Sequence, residues 1–131
     1  MKNRIVIGLA VVLMGLANLA QALGMGEIVV ESGLHEPLRA RIPLLQSKEF
    51  GEGQLKVALA SEQAFEARQL SRDHVYQSIQ FTVDLKNKKG PCILLTTAQP
   101  MREPYLDFLV ELSWPTGHLL KDFTVLFDRP Q

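Results

Sequence analysis

The chain has 131 residues, and its 14 Lys+Arg residues balance 14 Asp+Glu residues to give a formal net charge of +0. Its length is that of one ordinary domain, which excludes a multidomain enzyme. The chain has no surplus of positive charge for neutralising phosphates, so no nucleic-acid partner is expected. Its apolar content of 47% is typical of a globular chain, not a disordered one. We therefore expect one packed core.

The first 22 residues have the pattern of a secretory signal peptide. Two basic residues precede an apolar run over residues 5–20, and small residues occupy Ala20 and Ala22, the two positions that a signal peptidase reads. We expect cleavage after Ala22, which makes residues 23–131 the exported domain. The alternative is an uncleaved anchor, although a spanning helix needs about 20 apolar residues.

Cysteine usage agrees with a domain that is held together by packing. The single Cys92 has no intramolecular disulfide partner, even in an oxidising compartment. It begins an apolar run and is expected to be a small buried hydrophobic residue. An intermolecular disulfide or a reactive thiol is the alternative.

Short β-rich runs separated by turn residues fill the rest of the chain. Their alternation and spacing predict an all-β, immunoglobulin-like sandwich of two sheets. Ser61 fits the N-cap of a short helix, and a second helical turn carries Val75 and Tyr76. About seven strands are predicted, over residues 27–31, 38–44, 55–59, 79–85, 92–97, 105–114 and 118–128.

The last two runs form the most informative part of the sequence. Pro115-Thr116-Gly117 separates them and predicts a hairpin turn. Apolar residues at even positions from 106 to 112 alternate with polar ones such as Asp107 and Glu111. Leu109, Leu120 and Leu126 break the alternation of the two arms, which indicates apolar contacts on both faces in part of a central hairpin.

Residues 101–128 contain a distinctive block that runs from Arg102-Glu103-Pro104 to Ser113-Trp114-Pro115. With this block, the ending resembles the conserved domain of the FimV family. Residues 23–28, 37–40 and 55–65 are similar to the same family. The resemblance implies the amino-terminal periplasmic domain of polar, inner-membrane scaffolds of Gram-negative bacteria, which support type IV pilus assembly, twitching motility and type II secretion.

The resemblance also implies the kind of partner. We expect protein partners in inner-membrane pilus or secretion assembly complexes, and no cofactor or small-molecule substrate. Family members usually continue into a peptidoglycan-binding LysM module, a transmembrane helix and an acidic cytoplasmic region. The 131 residues contain none of these three parts. Any proximity of the domain to peptidoglycan would therefore not come from a LysM module within these residues. We expect either a short stand-alone relative or the leading part of a longer protein.

Residues that could carry catalysis are few. His35, His74 and His118 are far apart in the sequence, which gives no support to a zinc site. Ser113, His118 and Asp122 could be drawn as a triad of a small cell-wall hydrolase, but no nucleophile-elbow motif surrounds the serine. We therefore expect that the protein is not an enzyme.

The candidate residues concern recognition instead. Arg102, Glu103 and Pro104 either fix how the hairpin begins or present a charged docking point. Trp114 is either a core residue or an interface anchor, and Asp107 shares a strand face with Glu111.

Arg39 and Arg41 lie on the polar face of the second predicted strand. They are either solvated or weakly attracted to anionic wall polymer or lipid. An alternative function is a chaperone-like binder of exported subunits that acts by strand donation, which predicts an exposed, unpaired sheet edge.

Overall fold

The computed structural model describes residues 22–127, so the predicted signal peptide lies outside the described residues except for Ala22. Within this range the chain forms eight strands and two short helices. They are β1 (Gly24–Met25), β2 (Val29–Val30), β3 (Pro37–Leu45), β4 (Lys56–Leu59), α1 (Glu62–Ala67), α2 (His74–Gln77), β5 (Gln80–Asp84), β6 (Cys92–Pro100), β7 (Tyr105–Trp114) and β8 (Gly117–Leu126).

The strands form two antiparallel sheets, which confirms the predicted all-β sandwich. One sheet has the order β1-β3-β6-β5, with β2 also paired to β3, and the other has the order β4-β7-β8. Strand β7 is therefore the centre of the smaller sheet, and β8 is one of its edges. Residues of β7 pair with β8 along its whole length, from Tyr105 opposite Leu126 to Trp114 opposite Gly117.

The first predicted strand, over residues 27–31, is wrong in its bounds. Only β2 lies within that range, and a further short strand, β1, precedes it; the pairing of β1 and β2 with β3 differs in register by one residue. Two residues of the outer strand therefore lie opposite one residue of β3, as in a β-bulge. Pro43 of β3 lies beside this break, where it has no N–H to donate; its carbonyl accepts from the Gly26 N–H at 2.7 Å.

The core lies between the two sheets. The predicted alternation of β3 is confirmed, since Leu38, Ala40, Ile42 and Leu44 are all buried. A row of aromatic rings crosses the core from the helical connection to β8, with centroid separations of 6.5, 5.6 and 6.3 Å. The rings belong to Phe65, Tyr76, Phe108 and Phe123.

Cys92 lies in this packed interior, as predicted for a small hydrophobic residue. Its side chain is buried, and the thiol is free within the described residues. Burial raises the pKa of the Cys92 thiol, and nearby Asp84 adds to the effect. A thiol held in its protonated form is a poor nucleophile.

The connection between β4 and β5 covers one edge of the hairpin. Ser61 caps α1 as predicted, since its side chain accepts from the Ala64 N–H at 3.2 Å. Strand β4 ends opposite Val110. Beyond that point the Ala60 N–H donates to the Leu109 carbonyl at 2.9 Å. The connection thus continues the edge pairing where the strand stops. Between residues 22 and 127 no helix is long and apolar enough to cross a membrane.

Candidate functional site: the outer face of the terminal hairpin

The hairpin of β7 and β8 has one face in the core and one face turned outward. We call the outward part formed by Tyr105, Asp107, Asp122, Thr124 and Leu126 the hairpin outer face. Tyr105 and Leu126 are direct cross-strand partners, and they are 51% and 74% exposed. Two large apolar side chains side by side in solvent are unusual enough to suggest a contact surface.

Two carboxyl groups lie next to this apolar pair. Asp107 and Asp122 are diagonal neighbours, because Asp107 lies opposite Thr124. A hydrogen bond shared with Asp107 raises the pKa of Asp122 to about 6, with burial and the Asp107 charge adding to the rise and Arg68 opposing it. Asp107 Oδ1 is buried and accepts no hydrogen bond from the described residues. A cation placed beside the exposed Asp122 carboxyl would favour its charged form.

The local structure explains why Asp107 is partly buried. Its backbone N–H donates to the Tyr76 hydroxyl at 3.0 Å, and that tyrosine stands on the helical connection beside β7. Burial raises the pKa of Tyr76, so its hydroxyl stays neutral and able to accept this bond. The connection thus holds one carboxyl in place while the face towards β8 stays exposed.

The block formed by Arg102, Glu103 and Pro104 lies at the open end of the hairpin. The Pro104 carbonyl accepts from the Phe127 N–H at 2.9 Å, which closes the ladder between β7 and β8. The preceding Met101 is buried and bonds through its backbone to His35 and Glu36. Arg102 and Glu103 are exposed. The backbone of residue 104 thus takes part in the ladder, while the side chains of Arg102 and Glu103 are accessible.

Trp114 lies at the opposite end of the hairpin and is half-buried. Its indole packs edge to face against Phe50, with ring centroids 6.5 Å apart. It also covers Gly117, where a Cβ atom would lie 3.0 Å from the indole Cζ2, so a side chain has no room there. Its remaining surface lines a shallow depression of about 380 Å³ together with Gln54 and Lys56.

The structure does not bring the predicted recognition residues together. The ten residues of β7 span about 33 Å, at about 3.3 Å per residue, between the Arg102 block and Trp114. Arg39 and Arg41 lie on the other sheet, in β3. Arg39 is exposed, and Arg41 pairs with Glu31 at 3.1 Å. A weak attraction to anionic polymer would therefore rest mainly on Arg39, because Glu31 partly neutralises Arg41.

Sequence reasoning missed two groups of surface residues. Tyr105, Asp122 and Leu126 were not singled out for recognition, although Leu126 sits where the alternation of β8 calls for a polar residue. The second group is the lysines of the turn between β5 and β6. Lys86, Lys88 and Lys89 line a depression of about 450 Å³ with Arg41; none of the three was predicted to take part in recognition.

The three residues considered as a catalytic triad, Ser113, His118 and Asp122, do not form one. Ser113 and His118 are cross-strand partners, and Asp122 lies on the same face. However, Asp122 is four residues along β8 from His118, about 13 Å away at about 3.3 Å per residue, so no relay of hydrogen bonds joins the three. Over residues 22–127 no cluster of three or more His, Cys, Asp or Glu side chains could hold a metal ion.

Comparison with known proteins decides the family. The model described as "FimV N-terminal domain Ig-like domain" matches residues 23–130. The chain belongs to the FimV family. It is 39% identical over 114 residues to the motility hub protein FimV of Pseudomonas aeruginosa strains PAO1 and UCBPP-PA14, which covers 87% of this chain.

This family membership confirms both the resemblance and the immunoglobulin-like fold predicted from the sequence. The chain spans only 12% of the length of the two Pseudomonas FimV proteins. No solved structure matches it. The match thus concerns one domain of a much longer hub.

Proposed function

We propose that this FimV-family domain is a non-enzymatic interaction domain. It acts in the periplasm and supports the assembly of type IV pili or related secretion machinery, and through them twitching motility. Its partners are proteins of inner-membrane assembly complexes. The observation that carries the proposal is the match of residues 23–130 to the FimV domain, together with the name of the relatives, motility hub proteins.

The geometry supports binding more than catalysis. The described histidine and carboxyl side chains form neither a triad nor a metal site. The outer surface instead offers an exposed apolar pair, an acidic pair and an accessible charged block, at Tyr105 with Leu126, Asp107 with Asp122, and Arg102 with Glu103. Exposed apolar groups rimmed by charges are typical of protein contact sites.

A domain exchange tests the proposal directly. In Pseudomonas aeruginosa FimV, the segment that matches this chain is replaced by residues 23–127, and surface twitching is measured. We expect the exchange to restore twitching to a strain without its own FimV, whereas a FimV that lacks the segment restores little. Equal twitching with and without the segment would contradict the proposal.

Three substitutions in the exchanged domain then locate the surface. Arg102→Ala and Trp114→Ala test the two ends of the hairpin, and Arg39→Ala serves as a matched change on the other sheet. Circular dichroism establishes that each variant folds. A folded variant that loses twitching marks a contact residue. Full activity of both hairpin variants would assign Arg102 and Trp114 to structure.

A second candidate is a chaperone-like binder of exported subunits. It is favoured by one observation: among residues 22–127, the outer edge of β8 pairs with no other strand. The two candidates differ in their client, since an assembly domain binds resident machinery and a chaperone binds subunits in transit.

A further inference from the structure

The outer edge of β8 carries backbone groups that point away from the sheet. The Phe127 N–H bonds to the Pro104 carbonyl, so these two residues form a hydrogen-bonded pair of the ladder. Such pairs alternate along antiparallel strands. The N–H and C=O groups of Asp122, Thr124 and Leu126 therefore point outward, and no backbone group within residues 22–127 bonds to them.

One part of this edge is protected and the other is not. Lys121 points inward, and its Nζ donates to the carbonyls of Met25 and Gly26 at 3.0 and 3.3 Å. A charged side chain that points inward on an edge strand hinders the approach of another strand. Beyond Lys121, the stretch from Asp122 to Leu126 contains no such charge, proline or bulge.

The side chains beside this stretch define what could cover it. Leu126 and its partner Tyr105 offer an apolar contact at one end. Asp122 and Asp107 offer two carboxyl groups at the other, one with a buried oxygen that has no partner among the described residues. An arginine or lysine opposite Asp122 would supply the missing positive charge.

A second copy of the chain fits this stretch poorly. Two antiparallel copies of residues 122–126 would place each Asp122 opposite Leu126 of the other copy, because a two-fold axis would pass through Thr124. Each carboxylate would then lose water without gaining a cation. Charge complementarity thus favours a different chain.

We propose that the edge of β8 from Asp122 to Leu126 takes an extended segment of a partner protein as an added antiparallel strand. The partner presents a large apolar residue opposite Leu126 and, four residues later, an arginine or lysine opposite Asp122. Main-chain hydrogen bonds supply the affinity, and these two side chains supply the specificity. This inference rests on the proposed function, because it names the mode in which the interaction domain binds.

Peptide binding to residues 23–131 tests the edge, since this piece contains every described strand and the core. The probe is a blocked nine-residue peptide with leucine and arginine separated by three residues, and the matched peptide has glutamate in place of arginine. Hydrogen exchange of single amides is followed by NMR at up to about 1 mM peptide, because short segments lose entropy on ordering and bind weakly.

The exchange pattern distinguishes edge pairing from general stabilisation. With the arginine peptide, the outward amides of Asp122, Thr124 and Leu126 should exchange at least about tenfold more slowly. The inward amides of Phe123 and Val125, already in the ladder, should change less. The glutamate peptide should bind about tenfold more weakly, the effect of losing one charged pair.

Two variants make the result specific. Thr124→Pro removes an outward N–H while leaving the ladder to β7 intact, so the fold should persist and peptide protection should vanish. Asp122→Lys should reverse the preference and bind the glutamate peptide. Glu49→Lys, an exposed change in the connection between β3 and β4, is the matched control and should keep the original preference.

Three results would overturn the proposal. The first is no protection of the outward amides by the arginine peptide, or equal protection in Thr124→Pro. The second is protection without peptide that grows with protein concentration, which would assign the edge to a second copy. The third is protection of the same amides without peptide in the 131-residue chain but not in residues 23–131, which would make residues 1–22 the occupant.

The domain exchange distinguishes this failure from failure of the proposed function. If Thr124→Pro supports twitching as well as the unchanged domain does, the interaction domain stands and the edge is not its contact. If the exchanged domain supports no twitching while the peptide pattern holds, the edge binds strands but the proposed role fails.

Discussion

The two edges of the terminal hairpin are treated differently. The edge of β7 is covered along most of its length, first by β4 and then by the Ala60 N–H and the Tyr76 hydroxyl of the helical connection. The edge of β8 has no backbone partner within the described residues, and the inward-pointing side chain of Lys121 hinders the approach of another strand at one end of it.

This difference shows where the domain places its stability and where it leaves surface for contact. The connection over residues 60–79, which includes two short helices, lies along the edge of β7. Leu109 is buried there, although it lies on the outward face of the hairpin. No comparable segment of the described chain covers the edge of β8. We therefore expect substitutions on the β7 side to unfold the domain and those on the β8 side to change binding.

The largest difference that we expect in the free energy of unfolding is between substitutions of two leucines on the outward face of the hairpin. Leu109 of β7 is fully buried under the connection, whereas Leu126 of β8 is 74% exposed. Leu109→Ala should lower the free energy of unfolding by about 2 to 5 kcal/mol. Leu126→Ala should change it by less than about 0.5 kcal/mol. Urea unfolding, followed by the fluorescence of Trp114, measures both. Equal losses would remove the distinction between the two edges.

The bond between the connection and β7 gives a smaller contrast. Tyr76→Phe removes the hydroxyl that accepts the Asp107 N–H and leaves a partly buried donor without a partner. We expect a loss of about 1 to 2 kcal/mol in the free energy of unfolding. Tyr105→Phe is the matched control, because that hydroxyl is exposed and makes only a 3.5 Å contact with Asp107. If the two variants are equally stable, the hydroxyl of Tyr76 does not hold the edge.

The covered edge is also the part that the sequence predicted best. Alternation in β7, the N-cap at Ser61 and the turn carrying Tyr76 are local signals, and all appear as predicted. Of the three residues that broke the pattern, Leu109 is buried as expected and Leu120 is half-buried, whereas Leu126 is exposed, so the apolar contact expected there is not made among the described residues. The sequence did not reveal that a helical connection makes the second contact, because this depends on the chain folding back from β4.

The candidate site was harder to predict because its members are adjacent only through strand register. Asp107 and Asp122 become neighbours once Tyr105 lies opposite Leu126, and a shift by one residue would separate them. The break between β1 and β2 was missed for a similar reason. It depends on pairing with β3 beside Pro43, whereas the local run of β-branched residues marks only the neighbourhood of β2 and gives no signal for β1.

The smallest effect that we expect is a dependence of the free energy of unfolding on pH, which comes from Asp122 on the β8 side of the hairpin. Asp122 has a pKa of about 6 in the folded chain, above the ordinary value of about 3.9 in an unfolded one. The folded state therefore binds this proton more tightly. The resulting stabilisation is complete below about pH 4 and is lost as the pH rises through 6.

Asp122→Asn should remove this decline, so the variant should become more stable than the unchanged chain as the pH rises from 4 to 7. We expect a gain of only about 0.5 kcal/mol at pH 7, because the side chain is largely exposed and water screens the repulsion from Asp107. Unfolding midpoints at several pH values measure the difference. Glu103→Gln, a change at an exposed carboxyl outside the pair, should leave the pH dependence unaltered. If it acts like Asp122→Asn, the decline is a general charge effect, and the two carboxyls on the open side are not coupled.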